Sequence, residues 1–443
     1  MDIGHVLKDH AYQNIPLTFE EAYALGMYAL QGCGGDELAQ HQSISALCAL
    51  HNRATYGWQW SSALERHHRH QLPRNAAEQI AGVCAAVFEH DIAESPSGFL
   101  TPHVAYAMDN CGMGGDLTVT ANVSTISAFI AAAAGIPMCK HGSPANADAG
   151  RHGSSDFISM LGIDTMAAKD QVEAAIEMEG FGYTEALDVK YKRIHLQTHQ
   201  VAKLPHMNDI IGPITNPLTP HLLTRRVVGV NHLISPQIVA EAYKVLNERG
   251  VTDLQHGIFV RGFADSEHYE GMDELSICEG GTQVAELWDG VIEERHLTAF
   301  DFGIDPIPYE DVSPPSGMSK GAFSLGILDG DIKGAPMEMV LANAALLFYL
   351  ADRAQDMREC YALAEAVHQD GAAKRTALAV RERLPVIARV AKQVETIPRF
   401  GKAVGIKGLV DEPSLNVVKC GHNAPITRFG EVMVDEDETE SSL

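Results

Sequence analysis

From Ala105 onward the chain alternates short β-prone, glycine-bounded stretches with helical ones: AMDNCGMGGD, STISAFIAAAAG and IPMCKHG, then RRVVGVNHL, HGIFVRGF and ELSICEGGTQVAELWDGVI. Alternation of this kind argues for α/β, because strands separated by helices pack as a sheet that the helices cover. The expected fold class is therefore α/β. Ahead of Ala105 the period is helical. Thr18-Phe-Glu-Glu21 has the form of a capping box and predicts a helix from about 19 to 31, and LAQHQSISALCALHNRA and AAEQIAGVCAAVFEH repeat the pattern. Trp58, Trp60 and the run Arg66-His67-His68-Arg69-His70 interrupt it. Those histidines do not share a helical face and no Cys or carboxylate pattern completes a metal site, so the segment reads as a solvated loop. The Ala-rich segment 336–379 reads as two helices covering the sheet. The expected division is a helical domain over 1–104, with further helices contributed by about 160–190, an α/β domain over 105–380, and a C-terminal extension over 381–443 ending in an acidic, disordered tail.

Charge and cysteine usage exclude several functions. The 443 residues carry 33 Lys and Arg against 58 Asp and Glu, a formal charge of −25, which opposes broad attraction to nucleic acid or an anionic membrane. Eight cysteines are scattered without a C-x-x-C pair, the usage of reduced thiols in a cytoplasm. Met1 to Pro16 has neither the basic nor the apolar region of a signal peptide. The most apolar run, Ser127 to Met138, is too short to span a bilayer, which takes about 20 residues, and reads as a buried helix.

Three elements suggest chemistry. Gly112-Met-Gly-Gly-Asp116 is followed by Asn122-Val-Ser124-Thr125 at the start of the apolar helix. Glycines let backbone N–H groups approach an anion, and hydroxyls beside a helix start add donors, so the pair suits a phosphate or pyrophosphate. A plain turn followed by an N-cap has the same residues. The loop matches neither the Walker nor the dinucleotide pattern. Lys140-His141-Gly142, followed by Ser143 and by Gly150-Arg151-His-Gly-Ser154, suits a loop closing over a phosphorylated substrate, or a solvated surface loop. Asp273 and Glu274, near the end of a strand, suit Mg²⁺ held by carboxylates and substrate phosphates, or an ordinary acidic turn.

The order of these elements narrows the reading. The glycine loop, N-x-S-T, K-H-G, Gly212-Pro-Ile-Thr-Asn-Pro217, Arg225-Arg-Val-Val-Gly-Val230, M-D-E-L-S and Leu341-Ala-Asn-Ala-Ala345 together resemble the anthranilate phosphoribosyltransferase family, which belongs with the class II nucleoside phosphorylases. The resemblance spans roughly residues 17–379. It implies a small all-helical domain joined to a larger α/β domain with a central mixed sheet, a substrate cleft between the two, a homodimer formed largely through the helical part, phosphoribosyl pyrophosphate (PRPP) as donor, and Mg²⁺. Carried over, Gly112, Gly114, Gly115 and Asp116 hold the pyrophosphate and ribose side, Asn122, Ser124 and Thr125 contact the phosphates, Lys140 neutralises the anion, and Ser154 joins this set. His141, Gly142, Ser143 and His206 face the acceptor, and Ser124, Asp273 and Glu274 hold the metal. No covalent nucleophile is implied.

This chain departs from the family pattern in places. Met113 and Leu117 stand where the family loop has Thr and Gly, and Ser143 stands where it has Asn. The stretch ahead of Gly212 reads LPHMNDII and lacks the Arg that receives the anthranilate carboxylate, which leaves Arg193, Lys203 and His206 as substitutes. The expected function is a Mg²⁺-dependent phosphoribosyltransferase moving phosphoribose to an aromatic amine or heterocyclic nitrogen. A nucleoside phosphorylase using inorganic phosphate and a non-catalytic ligand- or nucleic-acid-binding homologue are the alternatives.

Overall fold

The computed structural model describes residues 3–13, 16–52, 72–115, 118–144, 153–197, 206–265 and 271–386. The tryptophan- and histidine-rich segment, Asp116, Lys203 and the chain beyond 386 lie outside them. The capping box at Thr18 is formed: Thr18 Oγ1 accepts from Glu21 N at 3.2 Å and Thr18 N donates to Glu21 Oε2 at 2.8 Å. Helix α1 (Ile3–Gln13) precedes the helix it opens, α2 (Phe19–Cys33), and α3 (Glu37–Asn52) and α4 (Leu72–Ala86) follow. Helix α4 continues into a π-helical turn, Val87–Ile92.

The alternating segment then gives β1 (Asp109–Gly112), α5 (Val123–Ala133), β2 (Met138–Gly142), α6 (Ser154–Met160), α7 (Lys169–Glu179) and β3 (Phe181–Glu185). Next come α8 (Asn208–Ile214), β4 (Arg225–Gly229), α9 (Pro236–Glu248), β5 (His256–Phe263), β6 (Gly271–Met272), β7 (Thr282–Trp288) and β8 (Val291–Leu297). The main sheet runs β1-β4-β5-β7-β8, with β6 also on β5. Strands β1, β4 and β5 are parallel, whereas β7 and β8 return antiparallel as a hairpin, so the sheet is mixed. Strands β2 and β3 form a parallel pair, joined to β1 by the bridge between Met108 and Met138.

After a 3₁₀ turn (Ala299–Phe302), α10 (Tyr309–Val312) and α11 (Lys320–Asp329), the Ala-rich segment folds as three helices rather than the expected two: α12 (Ala335–Leu350), α13 (Met357–Gln369) and α14 (Ala372–Arg383). Asp352 and Gly371 take positive φ of 54° and 70° at the two breaks, and Asp356 caps α13 by accepting from Arg358 N at 2.7 Å. Both stops lie in short polar stretches, Asp352-Arg-Ala-Gln-Asp356 and Asp370-Gly371, between Ala-rich helical segments.

Side chains alternate across a strand, and β4, β5 and most of β7 are buried on both faces accordingly, whereas the edge strand β8 is largely exposed. Val227, Ile258, Val260 and Val284 join α5, α7, α12 and α14 in one core, where Phe129 and Phe181 stack 4.2 Å apart. Val228, Phe259, Ala285 and Leu287 join α2, α4, α8 and α9 in the other. Helix α7, from the stretch expected to extend the helical domain, instead buries Val172, Ala175 and Ile176 in the first core. The described residues up to 386 fall in one compact unit, because the N-terminal helices share their core with α9 and the sheet. Among the described residues no helix is long and apolar enough to cross a membrane.

Candidate active site

Strands β1, β2, β3 and β4 end at Gly112, Gly142, Glu185 and Gly229. Open α/β sheets bind ligands outside the carboxyl ends of such strands. Asp273, just after β6, sits tightly between two of those ends: a Cβ at Gly112 would overlap its carboxylate and one at Gly229 its carbonyl. Its Oδ2 accepts the Gly114 N–H at 2.6 Å. Gly114 and Gly115 have φ of 72° and 74°, the left-handed region that glycine enters without steric penalty. Asn231 Nδ2 donates to Gly114 O at 3.0 Å. The glycine loop is thus latched from both sides.

Glu274 is buried, and its carboxylate accepts from the Thr120 hydroxyl. Asn343, inside the apolar helix α12, accepts from Leu275 N at 3.0 Å and donates to Leu275 O at 2.9 Å. The backbone just after the acidic pair is therefore fixed by one amide. Two adjacent carboxylates and a serine hydroxyl offer only hard oxygen donors, the type that Mg²⁺ takes together with phosphates and water.

The first turn of α5 completes this side. Ser124 Oγ accepts from Lys140 Nζ at 3.2 Å, and Ser124 O accepts from Asn110 Nδ2 at 2.8 Å. Lys140 also donates to Asn110 O, and burial pushes its ammonium below the usual lysine range against the pull of Asp109. Asn122 donates through N and Nδ2 to Ser324 Oγ at 2.8 and 3.0 Å. Thr125 is fully buried, and its hydroxyl has no hydrogen-bond partner among the described residues, a costly state for a polar atom unless something meets it.

A tighter cluster, Asp109, Cys111 and His141, has ligand atoms within 4.8 Å of one another. It is filled by a cation already. Arg226 Nη2 lies 2.5 Å from Asp109 Oδ2 and 3.3 Å from Cys111 Sγ, which opposes a second positive charge there.

On the acceptor side the structure corrects two expectations. His141 is 3% exposed; its Nε2 faces Gly212 O at 2.8 Å and its Nδ1 faces Asn216 Nδ2 at 3.2 Å and Asp109 Oδ2 at 3.2 Å. A carbonyl at Nε2 requires the hydrogen on that nitrogen, so the ring braces α8 and is closed to an acceptor. His206 is entirely buried, accepts from Asn208 N at 3.1 Å, and burial holds it down to about 3. A neutral, enclosed imidazole does not receive a carboxylate. Arg193 is partly open, but Asp91 of the π turn takes its Nε at 3.0 Å and its backbone N at 2.8 Å. Gly142 and Ser143 do stand at the mouth: a Cβ at 142 would overlap Ser154 Oγ, Ser154 Oγ meets Tyr183 OH at 3.0 Å, and Ser155 N donates to Ser143 O at 3.4 Å.

Residues 105–374 match the glycosyl transferase family, a/b domain. Anthranilate phosphoribosyltransferase of Haloarcula marismortui is 34% identical over 246 residues, which cover 55% of this chain and 68% of that enzyme. The chain belongs to the anthranilate phosphoribosyltransferase family. Another member, from Thiobacillus denitrificans, is 32% identical over 271 residues, 61% of this chain and 73% of the relative. Among solved structures, the family's enzyme from Thermus thermophilus superposes with a TM-score of 0.65 at 26% identity, covering 86% of this chain and 99% of its own. The Saccharomyces cerevisiae enzyme, solved with PRPP and Mg, shares the fold at 20% identity with a TM-score of 0.64, covering 86% of this chain and 97% of its own.

Several residues that shape this family site escape a reading of the sequence. Asn231, Asn343 and Ser324 hold the glycine loop, the acidic pair and Asn122 respectively. A polar side chain in an otherwise apolar helix marks Asn343, but nothing in one sequence says which backbone it meets.

Proposed function

We propose that this chain transfers phosphoribose from PRPP to the nitrogen of an aromatic amine or heterocycle in a Mg²⁺-dependent reaction, releasing pyrophosphate. The observation that carries this reading is the meeting of the glycine loop with Asp273 at one sheet mouth, beside Lys140 and the first turn of α5. Gly112, Gly114 and Gly115 present backbone to the pyrophosphate and ribose, while Asn122, Ser124, Thr125 and Lys140 take the phosphates. Ser154 joins that phosphate set, and Gly142 and Ser143 border the acceptor. Asp273 and Glu274, with Ser124, hold Mg²⁺, which when bound neutralises charge on the leaving pyrophosphate.

Cleavage at C1 of PRPP builds positive charge on the ribose and negative charge on the leaving group. Preorganised N–H donors, a buried ammonium and a helix N-terminus stabilise that negative charge without reorganising. Holding donor and acceptor together removes most of the entropic barrier to their meeting. The family resemblance further supports a homodimer acting in the cytoplasm, with anthranilate and tryptophan biosynthesis as the first acceptor and pathway to test.

The test is calorimetric titration of PRPP with and without Mg²⁺, then pyrophosphate release with anthranilate and a panel of aromatic amines and heterocycles. Mg²⁺-dependent binding and release are expected, with Asp273→Asn/Glu274→Gln slower by roughly a hundredfold or more. Turnover of a nucleoside with inorganic phosphate, and none with PRPP, would replace this reading by the phosphorylase one.

A further inference from the structure

Glu185 closes strand β3 in register with Gly142, and Ala186 N donates to Gly142 O at 2.7 Å. In a parallel pair, residues in register point to the same face, as do residues two apart. Lys140 pairs with Tyr183 two positions earlier, so Lys140, Gly142, Tyr183 and Glu185 share one face. That is the face on which the Lys140 ammonium reaches Ser124. Glu185 lies one step nearer the mouth than Lys140, alongside the Gly142 and Ser143 that border the acceptor.

The carboxylate is built into place rather than dangling. Leu187 N donates to Glu185 Oε1 at 3.3 Å, and the Ser155 hydroxyl, itself 2.8 Å from Tyr183 OH, also bonds the carboxylate. The group is 7% exposed. Among the described residues the titratable groups facing it are Asp156 of α6, Asp188 just beyond β3, which Lys190 pairs, and Tyr183. Among the described residues no Lys, Arg or His pairs with it. A nearly buried carboxylate whose charged neighbours are acids is unfavourable as a purely structural device. Burial first, then Asp156 and Asp188, push it up to about 7 against the Ser155 and Leu187 donors, near the value a general base needs at neutral pH.

Among the described residues, the other acids and bases of the mouth are already engaged. Asp109 is held by Arg226, Asp273 by Gly114 N and Glu274 by Thr120, Asp156 by Gly153 N at 2.8 Å, and His141 by Gly212 and Asn216. We propose that Glu185 is the general base of the transfer: as the acceptor nitrogen forms its bond to C1 and the C1–O bond to pyrophosphate breaks with its electron pair, the proton on that nitrogen passes to the Glu185 carboxylate. The step is balanced by the reactants alone. It rests on the phosphoribosyl-transfer reading above.

The test uses Glu185→Gln, Glu185→Asp and wild type, with pyrophosphate release from PRPP and Mg²⁺ followed between about pH 5 and 9 using the most active acceptor of the panel. Wild type should gain kcat/KM for the acceptor as pH rises through about 7. Glu185→Gln should lose that rise and fall at least about a hundredfold at the plateau, with the Kd for PRPP unchanged, and Glu185→Asp should restore the rise at a lower rate. A Gln variant that keeps the pH profile and rate of wild type would overturn the assignment and leave the transfer reading standing. So would a variant that loses PRPP affinity and melting temperature while keeping the profile, since that pattern marks a structural role. Absence of pyrophosphate release in wild type itself would overturn the transfer reading, and the general base with it.

Discussion

Asp109 Oδ2 lies 2.5 Å from Arg226 Nη2 with both side chains wholly sealed from solvent. The same guanidinium donates to Pro213 O at 2.6 Å, to Ile214 O at 2.9 Å and to the Tyr243 hydroxyl. One ion pair therefore joins β1 to β4 and pins the Gly212–Pro217 turn beneath the mouth.

Removing one partner of this pair leaves the other charge buried and alone. Arg226→Met and Asp109→Asn should each lower unfolding free energy by about 3–5 kcal/mol, read from urea denaturation. The double variant should lose much less than the sum, because an uncharged pair has no orphan.

Substitution at Asn343 separates positioning from binding. Asn343→Ala frees both backbone groups of Leu275, at a cost of about 1–3 kcal/mol. It should weaken Mg²⁺-dependent PRPP binding about tenfold or more while leaving Mg²⁺-independent binding intact, measured by calorimetry.

The glycine loop gives a steric contrast. Gly112→Ala places a methyl group on the Asp273 carboxylate and should abolish PRPP binding. Around Gly114 there is open space, so Gly114→Ala meets only the strain of its positive φ, about 1 kcal/mol or somewhat more, and should retain measurable binding by the same titration.

Acid stability follows from the buried imidazoles. His206 and His51 titrate near 6.5 when unfolded, and burial lowers them to about 3 and about 4 in the fold. Between those values and 6.5 the unfolded chain binds more protons, so their effect is to lose stability as pH falls below 6.5. Glu185 and Asp209, raised by burial to about 7 and about 6, act oppositely: the folded state binds more protons between their unfolded and folded values, and stability falls as pH rises through that window. His206→Gln should remove about 2 kcal/mol of the loss between pH 6.5 and 5, read from urea denaturation at each pH.

The parts of this site that are local in sequence are legible there. The capping box at Thr18, the strands around Cys111, Lys140 and Val227, and the apolar helix after Asn122 each follow from periodicity and composition over a few residues. What one sequence withholds is long-range. His141 and His206 are acceptor residues by their position in a motif, yet both are buried, His141 against Gly212 of α8 and His206 at the start of that helix near His51. Glu185 sits in TEALD, a string with no pattern of its own, and acquires meaning only when β3 pairs with β2. The three helices from Ala335 onward read as two because the short polar breaks at Asp352–Asp356 and Asp370-Gly371 are flanked by Ala-rich residues of helical period on both sides.

The wide turn at Val87–Ile92 has a consequence for how this helix tolerates length change. It carries Asp91 to the backbone N–H groups of Arg193 and Ile194, at 2.8 and 2.9 Å, by holding more residues than an α turn does. Deleting one residue there would restore a regular helix and rotate every later position by about 100°, turning Asp91 away from both amides. That stretch is a counted insertion: a change of side chain within it is tolerable wherever packing allows, but a change of one in its length is not.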